Sequence, residues 1–186
     1  MKRVLPEVLT KQEQRDLLAQ FNTRYFTSHR NMLMIKLSLV TGMRISEIIN
    51  LRFRDITPSD GVFKIHIKNG KGHKDRMVFI SPVMYNDLYE LHEKHDIIST
   101  LVFCTTKKKP VKDSYIRKMI KEKGKKIGLD RIHFHLLRHT YLTRVYDKTK
   151  DIRVVQDIAG HSSIATTMIY THTSGAAIKE AMIGDL

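Results

Sequence analysis

The sequence predicts an α+β domain that is mainly helical and carries a small, three-stranded antiparallel sheet. Apolar residues recur at helical spacing in most segments, and only the stretch over residues 62–80 alternates as paired strands do. The chain has 186 residues, of which 41% are hydrophobic, enough for one core and little more. A single domain over residues 1–186 is therefore expected.

The first third of the chain predicts three helices. Thr10 and Glu13 form a capping box, in which each side chain satisfies a backbone amide at the start of a helix. The second segment is apolar nearly all round, as in a helix buried inside a bundle, and Gly42 ends it. Arg44 stands at the entrance of a short third helix. The predicted bounds are 10–21, 32–40 and 44–51.

The middle of the chain predicts the sheet. Residues 62–67 and 76–80 form a β-hairpin, and the turn residues between them place Lys71 at its basic tip. The apolar segment 101–104 is expected to add the third strand. Ser81 and Pro82 have the residue types of an N-cap and a first helical turn. Helices are predicted over 82–94, 113–127, 135–147, 152–159, 164–171 and 175–183.

The charge balance points to a polyanionic partner. Lys and Arg number 33 against 19 Asp and Glu, so the formal net charge is +14 and the isoelectric point is near 9.9. Nucleic acid is the first candidate for such a partner. The N-terminus lacks the pattern of a signal peptide, no apolar stretch is long enough to span a membrane, and Cys104 is the only cysteine. A cytoplasmic protein without a membrane partner is expected.

An ordered set of residues has the chemistry of phosphoryl transfer. A phosphodiester in transfer accumulates negative charge on its non-bridging oxygens, which guanidinium groups and imidazole donors stabilise through oriented hydrogen bonds. Arg44, Arg138, His135 and His161 suit that task. His135 and Arg138 are three residues apart on a predicted helix, so both side chains can face one point.

The same set contains a nucleophile and groups that move protons. Tyr170 is the candidate nucleophile, and because a tyrosine hydroxyl has an ordinary pKa of about 10, it needs a base or nearby cations. His135 is the candidate proton acceptor. Lys71, on the hairpin tip, is the candidate general acid that protonates the leaving 5′ oxygen, provided that nearby positive charge lowers its pKa.

Four segments in this order resemble the tyrosine recombinases, also called the phage integrase family. They are Thr41-Gly42-Met43-Arg44-Ile45-Ser46-Glu47-Ile48, Gly70-Lys71-Gly72-His73-Lys74-Asp75-Arg76, His135-Leu136-Leu137-Arg138-His139-Thr140, and Ile158-Ala159-Gly160-His161-Ser162-Ser163 followed by Ile169-Tyr170-Thr171-His172. The resemblance covers nearly the whole chain. It implies the family's catalytic fold, which is mainly helical with a small antiparallel sheet.

The resemblance also implies a reaction and its residues. Tyr170 takes the 3′ phosphate and frees a 5′ hydroxyl, and a second strand then attacks the phosphotyrosine without a metal ion, ATP or another cofactor. The implied outcomes are DNA integration, excision, inversion or resolution. Glu47 and His139 would support the site. Candidate DNA contacts, read from basic residues near the motifs and on the predicted helix 113–127, are Lys74, Arg76, Arg117, Lys118, Lys121 and Lys125.

The implied partners are double-stranded DNA, further copies of the chain in a tetramer on paired sites, and accessory DNA-bending proteins, with association to the nucleoid. Residues 1–9 are expected to be a lead-in, and residues 174–186 a tail that docks on a neighbouring protomer. The family's usual N-terminal core-binding domain is not recognisable before Thr10. The chain is therefore expected to be a fragment, or to be similar to small members such as the fimbrial phase-variation invertases.

Simpler interpretations stand beside these. Arg44 could pair only with Glu47, Lys71 could be a solvated turn residue, and Tyr170 could be a core tyrosine. His135 and His139 are one helical turn apart, but Leu136 stands where a zinc protease has glutamate, so a metal site is not expected. Two alternative functions remain: relaxation of supercoils by a type IB topoisomerase-like enzyme, and DNA binding by a regulator without catalytic activity.

Overall fold

The computed structural model of the protein describes residues 8–68 and 75–160. Within those ranges seven α-helices and one short 3-10 helix, Phe53–Asp55, pack with one antiparallel sheet. In chain order the elements are α1 Lys11–Ala19, α2 Phe26–Thr41, α3 Ile45–Ile49, β1 Ile56–Ser59, β2 Val62–Ile67, β3 Arg76–Ile80, α4 Pro82–Lys94, α5 Asp113–Lys125, α6 Phe134–Thr149 and α7 Ile152–Ala159.

The predicted starts of α1 and α4 are confirmed. The Thr10 hydroxyl accepts a hydrogen bond from the Glu13 amide, and the Glu13 carboxylate accepts one from the Thr10 amide. Ser81 caps α4 by accepting from the Met84 amide, and Pro82 occupies the first turn, where its missing N–H is not needed. Helices α1 and α4 therefore begin where their cap residues stand.

Helix α2 runs through the centre of the molecule and packs against α6 and α4. Leu33, Met34, Ile35 and Leu37 are all but fully buried, as an all-round apolar helix requires. The helix starts at Phe26, about two turns before the predicted boundary, and its first turns also bury Arg30 and Asn31. In the described ranges, no helix is long and apolar enough to cross a bilayer.

The sheet has the order β1-β2-β3, and its two faces differ sharply. Ile65 pairs with Val78, and Ile67 pairs with Arg76, so these four side chains share the face that packs on the core. Lys64 pairs with Phe79 and His66 with Met77 on the opposite, outward face. Arg76 therefore points inward, between the sheet and the helices.

The third strand was predicted in the wrong place. Segment 101–104 forms only isolated bridges, Arg52 to Leu101 and Cys104 to Pro110, and its side chains are buried in the core. The third strand is β1, joined to β2 by a tight turn at Asp60 and Gly61, whose φ angles are both positive. An Asp-Gly pair is typical of such a hairpin turn, and the edge position of β1 tolerates Pro58.

The other helix predictions are correct to within one or two residues at most ends. Helix α7 has the predicted bounds, α5 ends two residues early, and α6 extends from Phe134 to Thr149. The helices predicted over 164–171 and 175–183 lie outside the described residues.

Gly42 shows why α2 ends where it does. It adopts a left-handed conformation with φ of +66°, and an added Cβ would lie 2.6 Å from Cδ1 of Tyr141. Its amide closes the helix by donating to the Ser38 carbonyl. A residue without a side chain is therefore required both by the backbone and by the packing of α6.

We expect Gly42→Ala to lower the free energy of unfolding by at least about 2 kcal/mol, because left-handed strain and overpacking add. Gly61→Ala is the matched control, since Gly61 also has a positive φ, of +78°, but has open space around it. It should lose only about 1 kcal/mol. Urea denaturation measures both variants, and equal losses would show that contact with Tyr141 contributes nothing.

Candidate active site

Three arginines converge on the C-terminal end of α7. Arg76 Nε donates to the Ile158 carbonyl at 2.8 Å, Arg138 Nη2 to the Ala159 carbonyl at 2.6 Å, and Arg44 Nη2 to the Gly160 carbonyl at 3.5 Å. The last carbonyls of a helix lack intrahelical partners and carry the negative end of the helix dipole. Cationic donors are therefore well placed there, and they come from the N-cap of α3, from β3 and from α6.

Glu47 links two of these arginines. Its carboxylate oxygens accept two hydrogen bonds from Arg76, at 2.8 and 2.7 Å, and one from Arg44 Nη1 at 3.0 Å. It also accepts the Arg44 amide at 2.7 Å and so caps α3. Burial alone would raise the pKa of Glu47, but the hydrogen bonds and positive charge of Arg76, with those of Arg44, hold it below the usual value. Glu47 is therefore a carboxylate at neutral pH.

Arg138 is the most buried of the three arginines, with a relative exposure of 1%. Its Nη1 donates to the Gly42 carbonyl at 2.6 Å, in addition to the Ala159 bond. These two bonds join α6 to the turn between α2 and α3 and to the end of α7. By contrast, the Arg44 side chain is 34% exposed. The two predicted phosphate-binding arginines thus differ in depth, although they contact neighbouring carbonyls.

His135 lies one turn before Arg138 on α6, and its ring packs edge to face against His139 with centroids 4.4 Å apart. Partial desolvation lowers the pKa of His135, and the charges of Arg138, His133, Arg44 and Arg117 lower it further. The imidazole is therefore neutral at pH 7 and can accept a proton. His139 packs against it, and its supporting role stays a prediction.

Other predicted site residues lie outside the described ranges. Lys71, Lys74, His161 and Tyr170 are among them, so their distances from Arg44 stay predictions. Gly160, the residue that precedes His161 in sequence, ends α7 in a left-handed conformation with φ of +60°. The point where the chain enters the predicted nucleophile segment is thus held between Arg44 and Arg76.

Arg76 does not occupy the place that was predicted for it. Its side chain is 5% exposed, and its guanidinium faces Glu47 and Ile158 inside the protein. Arg138 is just as buried, but Arg76 differs from it because the Glu47 carboxylate accepts hydrogen bonds from both of its Nη atoms and balances its charge. This pairing contradicts the expectation that Arg76 contacts DNA. The signal was present in the sequence, because Arg76 has the same parity in β3 as the buried Val78 and Ile80.

The predicted basic face of α5 is exposed, as the helical spacing requires. Ile116, Met119 and Ile120 face the core on its other side. Arg117 forms a bidentate pair with Asp113, at 2.6 and 3.1 Å, and Lys118 lies 3.9 Å from Glu122. Lys121 and Lys125 are exposed as well. DNA contacts by these four residues stay predictions.

The metal interpretation of the histidines gains no support from the described part of the chain. No group of three histidine, cysteine, aspartate or glutamate side chains within residues 8–68 and 75–160 has the geometry to hold a metal ion. The buried carboxylate of Glu47 accepts hydrogen bonds from Arg44 and Arg76.

The pattern of the Phage integrase family matches residues 7–176, which include Arg44, Arg138 and the segment that follows Gly160. The chain belongs to the phage integrase family. Tyrosine recombinase XerH of Campylobacter jejuni is 33% identical over 182 residues, which cover 95% of this chain and 51% of that protein. Tyrosine recombinase XerA of Pyrococcus furiosus is 30% identical over 183 residues, which cover 97% of this chain and 62% of that protein.

Solved structures of family members share the architecture. The post-cleavage complex of XerH bound to a palindromic difH substrate aligns with a TM-score of 0.80 at 30% identity, over 96% of this chain and 53% of that one. The XerA recombinase aligns with a TM-score of 0.77 at 30% identity, over 97% of this chain and 64% of that one. The predicted fold, helical with a three-stranded sheet, is confirmed. The chain spans about half to two thirds of the length of these relatives.

The pair of Glu47 and Arg76 should contribute strongly to stability. Replacing either residue alone by Met leaves its buried partner charged and poorly compensated, so each variant should lose roughly 3–5 kcal/mol of unfolding free energy. The double variant should lose less than the sum, because no unpaired charge remains from this pair. Urea denaturation of the three variants measures the coupling, and strictly additive losses would contradict it.

A partly exposed ion pair provides the control. Lys36 and Asp87 are 2.6 Å apart, but both side chains are more than a quarter exposed, so removing that pair should cost about 0–1 kcal/mol.

The contribution of Glu47 to stability also has a defined pH dependence. The pKa of Glu47 is lower in the folded protein than its ordinary value of 4.5. Its contribution to stability is therefore present at neutral pH and is lost as the pH falls from 4.5 through the folded pKa.

The neutral state of His135 can be measured directly. Its imidazole should titrate below 6.5 in an NMR pH series, and Arg44→Met should raise that pKa in part, because one of the nearby positive charges is removed. Lys94→Met is the control, since Lys94 lowers the pKa of His95 and His29 instead. Titration of His135 at or above 6.5 in the unmodified protein would contradict this environment.

Proposed function

We propose that the chain is the catalytic domain of a site-specific DNA recombinase, which breaks and rejoins strands through a 3′-phosphotyrosyl bond at Tyr170. The observation that carries this proposal is the meeting of Arg44 and Arg138 at the end of α7. Both guanidiniums contact adjacent carbonyls, Gly160 and Ala159, directly before the segment that bears His161 and Tyr170.

The arginines would stabilise the reacting phosphate. As the phosphorus gains a fifth ligand, charge grows on its non-bridging oxygens, and donors that are already fixed in place need no reorganisation at that moment. Arg44 is fixed by Glu47 and Gly160, and Arg138 by Gly42 and Ala159. Arg76 would act behind them, since it contacts Glu47 and Ile158 rather than the surface.

Two proton transfers complete the proposed step. The Tyr170 oxygen attacks phosphorus and gives its proton to His135, whose lowered pKa favours the neutral acceptor. The bond to the 5′ oxygen breaks, and Lys71 protonates that oxygen. A 5′ hydroxyl then attacks the phosphotyrosine in the reverse sense, so one phosphodiester replaces another and no nucleotide triphosphate is consumed.

The partners follow from this chemistry and belong to the proposal. XerH was solved with its difH substrate before and after cleavage, which supports duplex DNA as the partner of this chain. Exchange between two sites requires four protomers, so we propose a homotetramer on paired DNA sites, with the segment 174–186 docking on a neighbour. On this proposal, residues 1–186 contain one catalytic domain that works in the cytoplasm on nucleoid DNA.

The test is covalent capture on nicked suicide DNA, in the presence of EDTA. The unmodified chain should form an adduct, Tyr170→Phe should form none, and Arg138→Ala should lose nearly all cleavage although its nucleophile remains. Lys71→Ala should fail on normal DNA but cleave DNA with a bridging 5′ sulfur, because a thiolate leaves without protonation.

Tyr89→Phe is the matched control, because Tyr89 is an exposed tyrosine on α4 and its loss should leave the adduct intact. An adduct with Tyr170→Phe would assign the nucleophile to another residue. No adduct with any DNA would favour a regulator without catalytic activity. Relaxation of supercoiled plasmid without exchange between two sites would favour a topoisomerase-like enzyme.

A further inference from the structure

A groove runs across the outward face of the sheet and ends beside Arg44. It consists of two clefts, of about 520 and about 280 Å³, which share the four residues Arg54, Asp55, His66 and Lys68. The larger cleft reaches Arg44 and Glu47 on α3, and the smaller one reaches Lys64 and Met77 on the sheet. We call this continuous depression the sheet groove.

The sheet groove is lined by an excess of positive charge. Its cations are Arg44, Arg52, Arg54, Lys64 and Lys68. Two carboxylates lie among them, and both are already engaged. Glu47 bonds Arg44 and the buried Arg76, and Asp55 accepts the Arg52 amide at 3.0 Å and lies 4.0 Å from Arg54 Nε. The groove therefore suits a ligand with several negative charges in a row.

Apolar side chains on β3 lie beside the basic residues of the sheet groove. Lys64 faces Phe79 across the β2–β3 pair, and His66 faces Met77. Phe79 and Met77 are 56% and 51% exposed, because the other face of the sheet packs on the core. A nucleic acid backbone alternates anionic phosphates with largely apolar sugars, so a basic row beside an apolar strip is complementary to it.

We propose that the sheet groove binds the phosphate backbone of duplex DNA on one side of the phosphate that Arg44 holds. The proposal rests on the function proposed above. It adds a binding surface made of Arg52, Arg54, Lys64 and Lys68, in place of the contact once expected from Arg76. Because one end of the groove is at Arg44, the duplex would enter the sheet groove directly from the reacting phosphate.

The test compares two neutralised variants that lose the same charge. Arg54→Gln with Lys64→Gln removes two groove cations. Lys94→Gln with Lys107→Gln removes two cations elsewhere, on α4 behind the sheet and in an exposed loop. DNA affinity is measured between about 50 and about 200 mM salt. Each lost phosphate contact should reduce the steepness of log affinity against log salt by about 0.9. The slope of the groove variant should therefore be shallower by about 2 than that of the unmodified chain, and the slope of the control variant should be almost unchanged.

Shortening the duplex locates the contact. Removing the DNA arm on one side of the scissile phosphate should lower the DNA affinity of the unmodified chain. The same shortening should lower the affinity of the groove variant much less, because that variant has already lost its contacts with this arm. Equal salt slopes for the groove and control variants, or equal losses on shortening either arm, would overturn the proposal. Circular dichroism checks folding, and Lys68→Gln, which changes one exposed side chain, provides a second groove variant.

These outcomes separate the groove from the reaction. Covalent capture by Tyr170 with unchanged salt slopes would reject the sheet groove and leave the recombinase proposal intact. A reduced slope without any covalent adduct would keep the groove as a DNA-binding surface and reject strand transfer.

Discussion

The buried carboxylate of Glu47 is the constraint on which the site depends. It pairs with Arg44 and Arg76 at once, and Arg76 in turn contacts the carbonyl of Ile158. Through this one group α3, β3 and α7 are held at fixed distances. A neutral residue at position 47 would leave two guanidiniums close together in a region that water reaches poorly, where their repulsion is strong.

This arrangement explains how a mainly helical protein can keep several positive charges close together. Each guanidinium is anchored on a carbonyl at the negative end of α7, and one carboxylate neutralises part of the total. On the proposed function, the positions of Arg44 and Arg138 would be set before a phosphate binds. Such fixed donors are what stabilisation of a developing charge requires, since flexible donors would have to be ordered during the reaction.

The sequence predicts much of this structure, and its failures have physical causes. Capping at Thr10 and Ser81, the glycine that ends α2, and the bounds of α7 are local features that a few neighbouring residues determine. The third strand was misplaced because the apolar segment 101–104 resembles a strand, whereas its burial comes from contacts distant in the chain. Arg76 was misassigned because charge suggested a surface. Its alternation with Val78 and Ile80 along β3, which the pairing with β2 confirms, places it inside.

The contacts of the arginines also bear on how the domain assembles. Arg76 is 29 residues from Glu47 and 82 from Ile158, and Arg44 is 116 from Gly160. Contacts across such separations close long loops at an entropic cost, so we expect them to form later than the local β2–β3 hairpin. Interactions that are absent from the folding transition state govern the rate of unfolding rather than the rate of folding. The contacts of Arg44 and Arg76 should therefore slow the unfolding of the completed site and have little influence on how quickly the chain folds.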